Sequence, residues 1–322
     1  MPKKRKPSAA KQTGNEPLGY HLFKVAAATV MLLVFVFLAG LAFLLLTPID
    51  EPAVKTTAVP GKPATGIIYE IYPKEKKQRP ARSLPADDDS RPPSRPDGQR
   101  PRIAIIIDDV GYDREMAQCL LGIDKALTLS VLPHSPFSKE IAAAATGAGM
   151  EIMLHLPMEP VEYPHVDPGP GVLLADMSPD MLLRQLEENI ADVPSIIGVN
   201  NHMGSRLTAE SIQLYQIFSV LKKRGLFFVD SRTTEKSLCR PSAGKLRVPF
   251  AERDVFLDNS LSTADIARQL DLLVVIAGRR GTAIGIGHPH PETCRVLQKH
   301  LPALKKQADL VPVSALVGPG DQ

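Results

Sequence analysis

Polar residues able to do hydrolytic chemistry collect directly after apolar, strand-like segments of this sequence. Two adjacent carboxylates, Asp108 and Asp109, follow the first β-branched run. Three imidazoles, those of His155, His202 and His288, follow later runs. Neutral imidazoles with one carboxylate are a ligand set typical of zinc and similar divalent ions. A second carboxylate beside such an ion can accept a proton from water. These residues therefore predict a cation site that also carries a general base.

Each of these residues also has a purely structural interpretation. Asp108 could cap the segment that follows it, and His155 could be a satisfied core histidine. His202 is harder to explain by packing, because it lies in the dense polar stretch Asn-Asn-His-Met-Gly-Ser. His288 and His290 flank a proline, which restricts their backbone, and we predict that one of them is a general acid or base.

Further polar residues follow strand-like segments, and we assign four of them to substrate binding: Asn201, Ser205, Asp230 and His290. Asp230 and Asp258 could also orient imidazoles as outer-sphere partners. A serine hydrolase that uses Ser205 or Ser231 is a weaker alternative, because neither serine lies in a Gly-x-Ser-x-Gly motif.

These side chains need a framework, and the sequence alternates between strand-like and helix-like segments. Eight strand candidates occur in order, at 103–107, 127–132, 151–154, 197–199, 226–229, 255–257, 282–286 and 310–313. Between them lie predicted helices from Ser178-Pro179 to about Asp192, from a Thr208 cap to about Gly225, over 264–277, and from Pro291 to about Lys306. Continuous apolar runs are typical of buried parallel strands. Such a chain can form a barrel or an open sheet, and in both the active site lies at the carboxyl ends of the strands.

The first hundred residues have a different composition. Residues 1–24 are basic, and residues 25–46 form an uncharged run of 22 residues, long enough to cross a bilayer as a helix. A buried core helix and a cleaved signal peptide are alternatives, but the run lacks a polar stripe and is longer than a signal-peptide core. We predict a signal anchor with its basic flank in the cytoplasm. Residues 47–100 hold ten of the chain's 30 prolines and predict a disordered linker to a domain at 101–318.

Composition excludes several classes of protein. The chain has 322 residues, 44% of them hydrophobic, which is enough for a sizeable core and excludes wholesale disorder. A net charge of +3 gives no sign of nucleic-acid binding. Three scattered cysteines exclude a disulfide-rich scaffold or a cysteine-based zinc module, and we expect Cys119 and Cys294 to lie inert on helix faces.

Six motifs resemble the divergent polysaccharide deacetylase family of bacteria. In chain order they are Ile-Ile-Asp-Asp-Val-Gly (106–111), Leu-His-Leu-Pro-Met-Glu-Pro (154–160), Gly-Val-Asn-Asn-His-Met-Gly-Ser (198–205), Val-Asp-Ser-Arg-Thr-Thr (229–234), Val-Phe-Leu-Asp-Asn (255–259) and Ile-Gly-His-Pro (286–289). The resemblance covers about residues 101–315. It implies a deformed β/α barrel of about seven or eight mostly parallel strands.

The resemblance also implies roles for the polar residues. Asp108 matches the family's base, Asp109 its metal-ligating aspartate and His288 its acid. His155 matches the start of the classical His-x-x-x-His motif, but Glu159 stands where the second histidine belongs. We therefore expect the missing imidazole ligand to be His202. The classical Arg-x-Pro-Tyr motif is not visible.

The expected function is that of a metal-dependent hydrolase, with zinc as the favoured ion. Its substrate would be an acetylated polysaccharide or peptidoglycan fragment. The chain would be held by one helix in a bacterial inner membrane, with its domain in the periplasm or outside the cell. The alternative is an inactive envelope protein whose pocket binds a glycan or a protein partner.

Overall fold

The computed structural model describes residues 99–319, which form one curled parallel sheet with helices on its outer face. The strands are β1 (Arg102–Val110), β2 (Thr128–Val131), β3 (Glu151–Met158), β4 (Ile196–Met203), β5 (Phe227–Asp230), β6 (Phe250–Glu252), β7 (Val255–Phe256), β8 (Thr282–Gly287) and β9 (Asp309–Leu310). The helices are α1 (Arg114–Leu121), α2 (Ser138–Gly147), α3 (Pro179–Asp192), α4 (Ser211–Arg224), α5 (Cys239–Leu246), α6 (Thr263–Arg280) and α7 (Pro291–Leu304). Single 3-10 turns lie at Leu207–Ala209 and Val313–Leu316.

The order of the strands brings the two ends of the sheet together. Neighbouring strands run β6-β5-β4-β3-β2-β1-β8-β7, all parallel, and β9 pairs beside β1. The end strands β6 and β7 are consecutive in the chain. Of the residues between them, Arg253 donates its backbone N–H to Asp230 in β5, and Asp254 donates its own to Ile284 in β8. The sheet therefore curls into a deformed barrel, which confirms the predicted fold of the domain.

Both faces of the sheet are apolar, as expected for parallel strands covered by helices. Alternate residues of β1 illustrate this arrangement, because side chains alternate between the two faces of a strand. Ala104 and Ile106 belong to a small cluster inside the barrel. Ile103, Ile105 and Ile107 belong to the larger core between the sheet and the helices. The interior is thus filled below the carboxyl ends of the strands, which leaves that end for polar residues.

Local signals predicted most of these elements. Helix α3 begins as expected, with the Ser178 hydroxyl accepting a hydrogen bond from Met181 and proline at the first helical position. Helix α4 ends at Gly225, which adopts the left-handed conformation. Two details were wrong. Thr208 does not cap α4, because its hydroxyl donates to Gly204 within a 3-10 turn. Strand β6 was missed, because its three residues carry no periodic signal.

The predicted basic segment 1–24, signal anchor 25–46 and most of the linker 47–100 lie outside the described residues. Across residues 99–319, none of the helices combines the length and the apolar character needed to span a bilayer. The membrane anchor stays a prediction.

A disulfide joins the first and last helices of the described chain. Cys119 in α1 and Cys294 in α7 are bonded across a sequence separation of 175 residues. Both cysteines lie on helices as expected, but the expectation that they are inert was wrong. Strands β1 and β8 pair directly, so the helices that follow them, α1 and α7, lie side by side. The third cysteine, Cys239, is a buried thiol, and burial raises its pKa well above the usual range.

Removing this disulfide is expected to destabilise the barrel. Replacing both Cys119 and Cys294 by serine should lower the free energy of unfolding by about 2–5 kcal/mol, the usual cost of losing a native disulfide. Urea unfolding monitored by circular dichroism measures this loss. A reductant should lower the midpoint of the wild type but leave that of the double variant unchanged. Equal midpoints for the oxidised and reduced wild type would show that the bond does not constrain the chain.

Candidate active site

A bulge near the end of β1 turns both adjacent carboxylates into the barrel. Ile107 pairs with Leu129 and Val110 with Val131, so two residues of β1 oppose one residue of β2. Asp109 has a φ of 55°, in the left-handed region that is costly for a non-glycine residue. In a regular strand two successive side chains point to opposite faces. Here Asp108 and Asp109 are both 2% exposed and both approach His155.

Strands β3 and β4 place the histidines by simple alternation. His155 pairs with Asn200, and His202 lies two residues further along β4, so all three side chains share one face. Asn201 lies between them and points the other way. His155 and His202 are 1% and 4% exposed. The barrel therefore brings the carboxylates of β1 to the imidazoles of β3 and β4.

Asp109, His155 and His202 form a compact group of potential metal ligands. Oδ1 of Asp109 lies 2.9 Å from Nδ1 of His202 and 3.1 Å from Nε2 of His155. The same two nitrogens are 3.1 Å apart. These separations are close to the roughly 3.4 Å expected between the ligand atoms of a tetrahedral zinc ion with bonds of about 2.0–2.2 Å.

The surroundings of Asp109 test whether a cation fits. Both of its carboxylate oxygens are buried, and neither accepts a hydrogen bond of good geometry. Burial opposes ionisation, but His202 and His155 outweigh it and hold the pKa of Asp109 well below its usual range. A buried, ionised carboxylate that lacks hydrogen bonds of good geometry is costly unless a positive charge compensates it. The three residues present therefore fit a divalent metal ion.

Asp108 has a different environment, although it is the neighbour of Asp109. Its two oxygens accept hydrogen bonds from Nδ2 of Asn200 at 2.8 and 3.0 Å. Burial raises the pKa of Asp108, against the effects of His155, His288 and Asn200. The pKa values of the two carboxyl groups are thus shifted in opposite directions. Such a separation is typical of a pair in which one group binds and the other transfers a proton.

His288 lies at the end of β8 and is held by a carboxylate. Its Nδ1 is 2.8 Å from Oδ1 of Asp258, while Oδ2 of Asp258 accepts the His288 backbone N–H and the Thr293 hydroxyl. Nε2 of His288 is buried and makes no hydrogen bond. Burial lowers the pKa of His288, but the charge and hydrogen bond of Asp258 dominate and raise it to about 10. The imidazole is therefore protonated at neutral pH and can donate from Nε2.

The Asp258–His288 pair predicts how the stability of the fold changes with pH. A raised folded-state pKa contributes stability that is complete below the unfolded value of 6.5 and is lost as the pH rises through about 10. The stability difference between wild type and Asp258→Asn should therefore be largest near pH 6 and shrink toward pH 10. NMR titration should show the pKa of His288 falling by several units in this variant. An unchanged His288 pKa would contradict the pairing.

The similarity of this chain to known proteins covers most of the described domain. The family model of the divergent polysaccharide deacetylases matches residues 105–317. The chain belongs to this family. It is similar to the uncharacterized protein YibQ of Escherichia coli K12, with 36% identity over 216 residues that cover 67% of each chain. It is also similar to an uncharacterized protein of Haemophilus influenzae, with 33% identity over 219 residues, 67% of this chain and 76% of the other.

A solved structure with a similar sequence and a similar backbone supports the fold. The uncharacterized protein ATU2773 of Agrobacterium tumefaciens C58 is 31% identical, with a TM-score of 0.66. The alignment covers 69% of this chain and 92% of that one. The relatives therefore support the family and the fold of the described domain.

Glu159, which replaces the second histidine of the classical deacetylase motif, has a structural role in this family member. It is 2% exposed, and its carboxylate pairs with Arg206 and accepts the backbone N–H of Ala175 at 2.6 Å. Its own carbonyl accepts the N–H groups of Arg206 and Leu207. Glu159 thus ties the loop after β3 to the loop after β4. Within the described residues, His202 and not Glu159 completes the group with Asp109 and His155.

The four residues assigned to substrate binding have different surroundings. Asn201 donates to the Met203 carbonyl and accepts the N–H of Ser231, so it holds the ends of β4 and β5. The Ser205 hydroxyl accepts the N–H of Val161. Their roles toward a substrate stay predictions.

Asp230 and His290, the other two residues assigned to substrate binding, also have different surroundings. Both oxygens of Asp230 accept hydrogen bonds within its own loop, from Arg232 N–H and the Ser237 hydroxyl. Burial raises the pKa of Asp230. His290 is half-buried, its ring lies 6.1 Å from that of His288, and burial lowers its pKa. Of the four, His290 is the one that lies beside His288.

One polar residue of the site was missed in the sequence. Asn200 is fully buried and contacts both Asp108 and His155. The alternation of β4 could have revealed it, because Asn200 and His202 are two residues apart and must share a face. Asp258 was expected to orient an imidazole and does contact His288.

Proposed function

We propose that this chain is a divalent-metal-dependent hydrolase that removes acetyl groups from an N-acetylated glycan of the bacterial cell envelope. The observation that carries the proposal is the convergence of three buried groups at one end of the barrel. These are the ligand set Asp109, His155 and His202, the separate carboxylate Asp108, and the Asp258-held His288. Membership of the divergent polysaccharide deacetylase family supports the substrate class.

The ligand set defines what the ion would do. Zinc suits two imidazoles and one carboxylate, and three protein ligands leave a position for water or substrate. When bound, such an ion polarises the acetyl carbonyl and lowers the pKa of a water.

The chain's own residues supply the proton transfers. Asp108 accepts a proton from the attacking water, and its raised pKa brings it closer to the operating pH of a base. The water oxygen bonds to the acetyl carbon, and the carbon–nitrogen bond then breaks. His288 donates its Nε2 proton to the leaving amine nitrogen while Asp258 stabilises the imidazolium. The products are acetate and a free amino sugar.

The location of the domain is part of the same proposal. We propose a single-pass anchor at residues 25–46 in the inner membrane, with the barrel in the periplasm or outside the cell. The Cys119–Cys294 disulfide supports this location, because disulfides persist in oxidising compartments and are rare in the cytosol.

Acetate release from N-acetylated oligosaccharides and peptidoglycan fragments tests the proposal. The wild type should release acetate, and a chelator should abolish release until zinc is restored. Saturable glycan binding without acetate release from any substrate would overturn the proposal. It would favour the alternative of an inactive envelope protein that binds glycan through the same pocket.

A further inference from the structure

A single buried amide lies between the proposed base and one of the proposed metal ligands. Asn200 is fully buried. Its Nδ2 lies 2.8 and 3.0 Å from the two oxygens of Asp108, and its Oδ1 lies 3.0 Å from Nδ1 of His155. One planar group therefore contacts both functional halves of the site.

The neighbours of Asn200 fix which way its amide points. An ionised carboxylate only accepts hydrogen bonds, so the NH₂ end must face Asp108. In the reverse orientation, Oδ1 would lie against both carboxylate oxygens. Two hydroxyl groups are compatible with this choice, because the Ser130 hydroxyl can donate to Oδ1 and the Ser231 hydroxyl, 3.3 Å from Nδ2, can accept. The charge of Asp108 thus sets the orientation of the amide.

This orientation in turn selects the tautomer of His155. Because Oδ1 of Asn200 can only accept, Nδ1 of His155 must carry the proton. A neutral imidazole with its proton on Nδ1 has its lone pair on Nε2. That atom lies 3.1 Å from both Asp109 Oδ1 and His202 Nδ1, inside the ligand group.

We propose that Asn200 is the positioning residue of this site. It holds His155 in the Nδ1–H tautomer that directs a lone pair into the ligand group, and it anchors Asp108 through two N–H contacts. This role rests on the proposed function, because His155 is a metal ligand and Asp108 a base only if the chain is a metal-dependent hydrolase. The tautomer and the metal affinity can nevertheless be measured without any substrate.

The first test is the tautomer of His155 in the metal-free, full-length chain. ¹⁵N NMR of histidine-labelled protein at mildly alkaline pH distinguishes Nδ1–H from Nε2–H, and a His155→Gln sample assigns the signal. The wild type and Asn200→Asp should both show Nδ1–H, because a carboxylate still accepts that proton. Asn200→Leu should lose the fixed tautomer. The matched control Asn201→Leu should keep it, since Asn201 is equally buried in β4 but bonds to Met203 and Ser231.

The second test separates metal affinity from turnover. Asn200→Leu should bind zinc about 10–100-fold more weakly than Asn201→Leu, as is typical when an outer-sphere partner of a ligand is lost. Asn200→Asp should retain much more of the zinc affinity than Asn200→Leu does. It should still lose turnover, because the N–H donors to Asp108 are gone. If the role of Asn200 were purely structural, zinc affinity and turnover would fall together in both Asn200→Leu and Asn200→Asp.

Two results would overturn the proposal. One is an Nε2–H tautomer of His155 in the wild type. The other is equal zinc affinity and equal tautomer in Asn200→Leu and Asn201→Leu. Should the leucine variants fail to fold, the wild type and Asn200→Asp decide the question alone. If no acetylated glycan is a substrate, the proposed hydrolase fails, while tautomer and affinity still decide the role of Asn200.

Discussion

Replacing His202 by alanine is expected to abolish metal binding and, with it, hydrolysis. His202 is one of the three proposed ligand residues, and its Nδ1 lies 2.9 Å from Oδ1 of Asp109. Loss of an outer-sphere contact typically weakens metal binding about 10–100-fold, so loss of a direct ligand should cost well beyond that range. Competition with a coloured chelator measures the zinc affinity. Mass spectrometry of the purified protein measures the metal content.

Glu159→Gln is the matched control for this variant. Glu159 occupies the position of the second histidine in the classical motif and is as buried as His202, but it pairs with Arg206. The control should keep the wild-type zinc affinity, although it loses an ion pair. His202→Gln, which retains most of the side-chain volume, separates loss of the ligand from a cavity effect. Weakened zinc binding in Glu159→Gln together with normal zinc binding in His202→Ala would show that His202 is not the third ligand.

Asp108→Asn is expected to retain the metal and lose turnover. Asp108 is outside the proposed ligand group, and its Oδ2 lies 3.7 Å from Nδ1 of His155. Removal of a positioned general base typically lowers the rate about 10²–10⁴-fold. The expected result is therefore normal zinc content with kcat reduced by at least about 10². Acetate release under saturating substrate measures it.

An exposed carboxylate provides the control for Asp108. Asp176 is paired with Arg206 at the surface, with 84% of its side chain exposed, so Asp176→Asn should leave kcat unchanged. Turnover of Asp108→Asn within a few-fold of wild type would exclude Asp108 as the base. Loss of metal in Asp108→Asn would instead place Asp108 among the ligands.

The fold was largely predictable because its strands are strong local signals. Segments such as Ile103–Ile107 are apolar at every position, which is typical of strands covered on both faces. The two-residue strand β7 lies within the predicted strand 255–257, whereas the three-residue strand β6 was missed, because so short a segment carries no periodic signal. Closure of the barrel could not be derived from periodicity, since it depends on hydrogen bonds from Arg253 and Asp254 to other strands.

The site was predictable in its residue types but less so in its geometry. Polar residues after apolar strands had to meet at one end of a parallel sheet, and Asp109, His155 and His202 do so. The bulge that turns Asp108 and Asp109 inward has no sequence signal, because it needs a left-handed residue that is not glycine. The disulfide was missed because 175 residues separate its cysteines.

Anomalous diffraction from crystals grown with zinc is the most direct test of the proposed metal site. Data collected on both sides of the zinc absorption edge locate the ion without reference to activity. We expect one strong peak within bonding distance of Oδ of Asp109, Nε2 of His155 and Nδ1 of His202. A second potential ligand group, Asp258, His288 and His290, offers an internal comparison. A peak at that group with none at the first, or no peak despite excess zinc at neutral pH, would contradict the proposed metal centre.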